Sequence, residues 1–169
     1  MDLVATVGER WGRRFERLRS AGDLNRWLRD TGLAEAPDAT EDDLEAMRGL
    51  RAAVYGAVEA ASDRRPLPTW ARDTLNRSAR VPTRIPQVRR SGHLRYEDGG
   101  AVRAAISEIA RDAIDLIASA DLGRVRECAA DDCARIFLDQ SRPGTRRWCS
   151  MQTCGNRAKV RSHRARAGA

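Results

Sequence analysis

The four cysteines of this chain fall into two close pairs, Cys128-x4-Cys133 and Cys149-x4-Cys154, separated by fifteen residues. Thiolates are soft metal ligands, and two close pairs from separate segments can supply the corners of a tetrahedral site. The rival explanations are buried free thiols, two disulfides or an iron–sulfur cluster. Chance accounts poorly for all four falling within one 27-residue stretch. Met1–Arg10 is too polar and acidic for a secretory signal, and no apolar run reaches membrane-spanning length. A reducing, cytoplasmic setting is therefore expected, which favours a metal over disulfides. One zinc ion fits best. Four protein thiolates leave no open position, so the ion is expected to be structural rather than catalytic. Segment 124–169 has little apolar content and is expected to need the ion to fold.

The cage needs elements to position it. Val125 to Cys128 and Arg135 to Leu138 read as strands flanking a knuckle that carries the first pair. Cys149-Ser150-Met151-Gln152-Thr153-Cys154 leads the second pair into a helix running toward His163. Free N–H groups and the positive dipole end at a helix start favour thiolate sulfur. Gly155 is expected to let the backbone approach the metal sulfurs closely. Trp148 is expected to pack over the knuckle beside Phe137 and Ile136, and Ser150 and Asn156 to cap or brace the turn. His163 lies nine residues past Cys154, too far to be needed as a ligand.

Charge separates the two ends of the chain. Segment 124–169 holds ten Arg and Lys159 against Glu127, Asp131, Asp132 and Asp139. The remaining twenty basic and twenty acidic side chains cancel, so the whole net charge of +7 resides there. Arg abundance alone says little, because thirty of the 31 basic residues are Arg throughout. Its segregation is the footprint of a polyanionic partner. Arg142, Arg146 and Arg147 lie on the approach to the second pair. Arg157, Arg161 and Arg164 form one stripe of the terminal helix, with Lys159, His163 and Arg166 beside it. Guanidinium groups suit phosphate oxygens and guanine edges. A solvated basic tail is the plain alternative.

Residues 1–122 read as a mostly helical domain with a small β-hairpin. Val4, Val7, Trp11, Phe15 and Leu18 recur at helical spacing, interrupted by Gly8 and Gly12. Asp23 is expected to cap a short helix ending near Gly32. Thr40, followed by Glu41, Asp42 and Asp43, opens a longer helix with Leu44, Met47, Leu50, Val54 and Val58 on one face. It should stop before Pro66. A further helix spans Trp70 to Ala79. Arg84–Arg89 and His93–Tyr96 flank Ser91-Gly92 as a hairpin. A long helix carries Val102, Ile106, Ile109, Ala113, Ile114 and Ile117, with Gly123 as its expected stop. The aromatics Trp11, Phe15, Trp27 and Tyr55 are expected in the core, and His93 at the surface.

Catalysis finds little support. There is no Gly-rich phosphate loop or nucleophile elbow, and two isolated histidines stage general-base chemistry poorly.

Cys149 to Lys159, preceded by Ser141-Arg142 and Arg146-Arg147-Trp148, resembles the CGNR zinc-finger family. Cys128-x4-Cys133 followed by Ile136-Phe137-Leu138-Asp139 fits the same pattern. In that family the finger follows an N-terminal ABATE domain. Residues 3–120 resemble it through Leu3-Val4-Ala5-Thr6-Val7, Trp27-Leu28 before Gly32-Leu33, Thr40 and Leu75-Asn76. The resemblance implies a bacterial, nucleoid-associated regulator of transcription whose finger at 123–169, treble-clef-like, holds one zinc and contacts double-stranded DNA. The helical domain at 1–122 is expected to sense a small-molecule signal or to mediate homodimer formation. A protein-interaction module, RNA binding, or a small-molecule-binding helical domain merely supported by the finger are the other readings.

Overall fold

The computed structural model describes residues 3–8, 15–97, 100–130, 133 and 135–167. It divides into two compact units, Leu18–Ser119 on the one hand, and Met1–Arg17 with Ala120–Ala169 on the other. Both are small α+β structures whose strands pair only as two-stranded antiparallel ribbons among the described residues.

In the first unit four helices make the core: α1 (Ala21–Asp30), α2 (Glu41–Ser62), α3 (Thr69–Ala79) and α4 (Ala101–Ala118). The capping chemistry sets two of their starts. The Ser20 hydroxyl accepts from the Asp23 N–H at 3.2 Å, while Asp23 accepts from the Arg19 N–H at 3.1 Å. Asp23 is thus the third residue of α1 rather than its expected cap, because Ser20, three positions earlier, caps the helix while the Asp23 carboxylate reaches back past it to Arg19. The Arg19 amide, with help from Arg26 and Ser20, outweighs the cost of burial and holds the Asp23 carboxyl below its ordinary range. At α2 Thr40 is the cap, as expected, and it forms a full capping box with Asp43, each side chain accepting from the other's N–H. Along α2, Leu44, Met47, Leu50, Val54 and Val58 are all buried, against Ala71 and Leu75 of α3 and Val102, Ala105 and Ala110 of α4. Burying each such Leu side chain contributes roughly 2 kcal/mol. α2 ends before Pro66, as its sequence requires.

Between α3 and α4 runs a ribbon of β3 (Ile85–Val88) and β4 (Leu94–Glu97), turning at Gly92 with φ +80°. The hairpin expectation is met to within a residue or two. α4 ends at Ala118, before the expected Gly123. Ser119 turns to φ −96°, ψ 163°, and both its N–H and hydroxyl donate to the Leu116 carbonyl, so the stop is a local side-chain device.

The other unit begins with a correction. Among the described residues, no α-helix runs over Val4, Val7, Phe15 and Leu18 as expected. A 3-10 turn at Val4–Thr6 leads into β1 (Val7–Gly8), which pairs with β2 (Phe15–Glu16). Gly8, which would cost a helix about 1 kcal/mol, instead sits in β1 opposite Phe15, and Gly12 lies outside the described residues. Trp11 lies outside the described residues. Farther along come β5 (Val125–Glu127), β6 (Ile136–Leu138) and, after a single π-helical turn at Met151–Gly155, α5 (Asn156–Ala167). A knuckled ribbon followed by a helix is the treble-clef-like layout expected of this segment.

Candidate metal centre

β5 and β6 pair Val125 with Leu138, Arg126 with Phe137 and Glu127 with Ile136. The ladder continues through the Cys128 N–H to the Arg135 carbonyl at 2.9 Å, and the Cys133 N–H donates to the Ala130 carbonyl at 2.9 Å. That turn holds the first pair. The Ala129 N–H donates to the Arg147 carbonyl at 2.8 Å, which draws the approach to the second pair alongside. Cys149 then stands just before the π-helical turn and Cys154 inside it. Ser150 accepts from the Thr153 N–H at 3.3 Å, and Asn156 donates to the Gln152 carbonyl at 3.2 Å, the bracing roles their positions predict.

The four Sγ atoms all lie within 4.8 Å of one another. Cys133 and Cys149 stand 3.8 Å apart, and Cys149 and Cys154 3.6 Å. A disulfide would require about 2.05 Å. Four ligands tetrahedrally placed at the usual zinc–sulfur bond of about 2.3 Å have edges of about 3.8 Å. These two separations lie close to that figure, and the donor set is all cysteine sulfur, so the residues fit one zinc ion. Cys128, Ala130, Phe137 and Cys154 form a small buried cluster with Trp148 packed on it, as expected.

The electrostatics explain why a dication belongs there. Burial pushes the Cys133 thiol up to about 11 and Cys149 farther still, each reinforced by neighbouring thiols. At Cys154 burial also pushes upward, but the Arg157 guanidinium 3.3 Å from its sulfur and bonds from the other thiols prevail, leaving it at about 7. Releasing the remaining protons at neutral pH needs positive charge in the middle of the cage.

Asp139, which the sequence offers only as part of the finger motif and as one acid among four, shapes the intervening loop. Asp139 is fully buried, and its carboxylate accepts from the Ser141 hydroxyl at 2.6 Å, the Ser141 N–H at 2.9 Å and the Arg146 N–H at 2.9 Å. These bonds, led by the Ser141 hydroxyl, hold its carboxyl below the ordinary range. The signal was available: Asp with Ser two positions on is an Asx-turn pattern. Gly155 is a second revision. A Cβ there would meet Met151 Sδ at 2.8 Å and Cε at 3.1 Å, so the atoms that crowd this position belong to a thioether side chain rather than to the metal sulfurs.

The basic residues divide. Arg146 is engaged within the finger, donating to the Trp148 carbonyl at 2.8 Å and to the Cys149 carbonyl, with its guanidinium over Phe137. Arg157 donates to Cys154. Arg147 lies over the Trp148 ring. Arg142, Lys159, Arg161 and Arg164 are exposed, as are His163 and Arg166. Across α5 no acidic residue interrupts them.

Fold and cage together define a zinc-finger protein with four cysteine ligands and a helical domain. Two family models match it: one described as "Putative stress-induced transcription regulator" (ABATE) over residues 1–120, and the CGNR zinc finger over residues 124–167. The chain belongs to the ABATE family and carries a CGNR zinc finger. Neither is an enzyme family. No curated protein matches the chain. Among the described residues no helix is long and apolar enough to cross a membrane.

Proposed function

We propose that this protein regulates transcription by binding double-stranded DNA through its zinc finger, with Cys128, Cys133, Cys149 and Cys154 as the ligands of one structural zinc. The observation that carries this reading is the run from Ser141 onward, which holds eight basic residues and no acidic one, three on the loop before Cys149 and five on α5, where each of the five is exposed. A helix so poor in apolar residues has no core to join, and a phosphate backbone supplies what its charges need. Arg142, Arg147, Lys159, Arg161 and Arg164 are the phosphate or base contacts in this account. Arg146 and Arg157 hold the finger together and present the others. The zinc confers order, pinning the start of α5 through Cys154. The molecule then acts at the nucleoid, and its helical unit carries the response to a signal.

The test is fluorescence anisotropy of the full zinc-loaded chain on duplex DNA as a function of salt. Log affinity should fall linearly with log salt, with a slope of about −0.9 for each phosphate neutralised. The triple variant Lys159→Ala, Arg161→Ala, Arg164→Ala should flatten that slope by roughly 2 to 3. An unchanged slope would remove α5 from the interface.

A further inference from the structure

The β3–β4 ribbon is sparsely covered. Ile85, Val88 and Leu94 are 53%, 77% and 62% exposed, and every residue of β4 is exposed. A two-stranded ribbon left this open to water is marginal by itself. Its base is nevertheless fixed: Arg84 donates to both carboxylate oxygens of Glu108 on α4 at 2.9 and 3.1 Å, and its guanidinium lies 4.4 Å from the centre of the Tyr96 ring. The ribbon is held out as a built feature.

Its two edges differ. The Arg89 N–H donates to the His93 carbonyl at 2.8 Å, in the same register that pairs Val88 with Leu94. Antiparallel alternation then makes Gln87–Arg95 and Ile85–Glu97 the inward-bonded pairs. Pro86 and Val88 direct their backbone groups away from β4, and Leu94 and Tyr96 direct theirs away from β3. On the β3 edge Pro86 has no N–H to offer, a known way of blocking an edge. The β4 edge has no such block, and among the described residues nothing bonds to the outward groups of Leu94 and Tyr96.

We propose that the β4 edge pairs antiparallel with the same edge of a second copy, making a twofold dimer around a four-stranded sheet. Charge selects the register. With the twofold axis at Leu94, Arg95 meets His93 of the second copy; at Arg95, two arginines meet; at Glu97, two glutamates meet. Only with the axis at Tyr96 does Arg95 face Glu97 of the second copy, and symmetry makes that pair twice. Opposite charges across strands stabilise and like charges destabilise. On the other face the two Tyr96 rings meet, flanked by Leu94, and extend the apolar strip formed with Pro86 and Val88.

The experiment is sedimentation equilibrium on the full zinc-loaded chain without DNA, so its outcome is independent of the DNA reading. Arg95→Glu and Glu97→Arg should each weaken the dimer on the order of tenfold, since each changes two symmetric pairs. The double reversal, Arg95→Glu with Glu97→Arg, should return the dissociation constant to within about threefold of the parent. As a positive readout, Tyr96→Cys should give a covalent dimer under mild oxidation, because hydrogen-bonded partners have Cα atoms about 5.5 Å apart. Arg95→Cys and the parent chain should not. A parent chain still monomeric at about 100 μM overturns the proposal. So does a dimer indifferent to the single reversals, or one that the double reversal fails to restore. Variants that lose duplex binding while the parent is monomeric would assign the ribbon to nucleic acid instead.

Discussion

Replacing Gly155 with alanine separates two explanations for a glycine beside the zinc cage. If backbone must approach the metal sulfurs, any side chain there should damage the site. The geometry says otherwise, because the three atoms nearest a Cβ at this position all belong to Met151, at 2.8, 3.1 and 3.7 Å. Met151 is 47% exposed, and its two closest atoms are the far end of a flexible chain that can swing into solvent. Moving it off its preferred rotamer costs about 0.5–1.5 kcal/mol. Alanine in place of glycine within a helical turn returns about 0.8–1 kcal/mol. The two nearly cancel. Gly155→Ala should therefore change zinc affinity by less than about tenfold, since about 1.4 kcal/mol is a factor of ten and metal binding and folding are linked in such modules. In the background Met151→Ala the clash is gone, so adding Gly155→Ala should tighten zinc binding by roughly threefold to fivefold. Chelator competition at fixed pH on the full chain gives each affinity. A loss beyond a hundredfold in Gly155→Ala that Met151→Ala does not relieve would refute the steric account and reinstate the metal-approach one.

Other expectations follow from the same geometry. Asp139→Ala strips three hydrogen bonds from the loop between β6 and Cys149, and should weaken zinc binding at least tenfold, as loss of ligand-supporting groups does; an unchanged affinity in chelator competition would show that the loop is held some other way. Cys154→Ser, or a chelator, should cost the α5 contribution to the helical circular dichroism while Leu18–Ser119 keeps its own cooperative urea transition. Thr40→Ala should lower the stability of that helical unit by about 1 kcal/mol in urea, because it removes a capping box. For pH, Asp23 has a folded pKa below its unfolded value of about 3.9. Its contribution is present above that value and is lost as pH falls through the folded pKa, so Asp23→Asn should flatten the acid limb of the helical unit's stability curve.

What the sequence disclosed, and what it hid, has a physical pattern. The cysteine spacing carried the cage because four soft ligands have few other reasons to pair. Thr40 and the apolar stripe of α2 were legible because cap and periodicity agree. The start of the chain misled: Val4, Val7, Phe15 and Leu18 fit a helical period, but a few matches interrupted by glycine do not decide between helix and a ribbon closed by tertiary contacts. Loop chemistry was the larger omission. Asp139 looked like one acid among four in a basic segment, whereas burial turns it into the acceptor that folds the loop. Arg146 and Arg157 looked like their neighbours for the same reason. Charge is read from sequence, but which guanidinium is already engaged depends on carbonyls and sulfurs that only the fold brings near.

The most direct measurement is the metal content of freshly purified chain, taken together with alkylation of its thiols. One zinc per chain with all four cysteines protected, and both lost together in Cys128→Ser, is the result expected of a cage that organises the basic helix. Metal-free protein whose four thiols react freely while α5 remains ordered would contradict it.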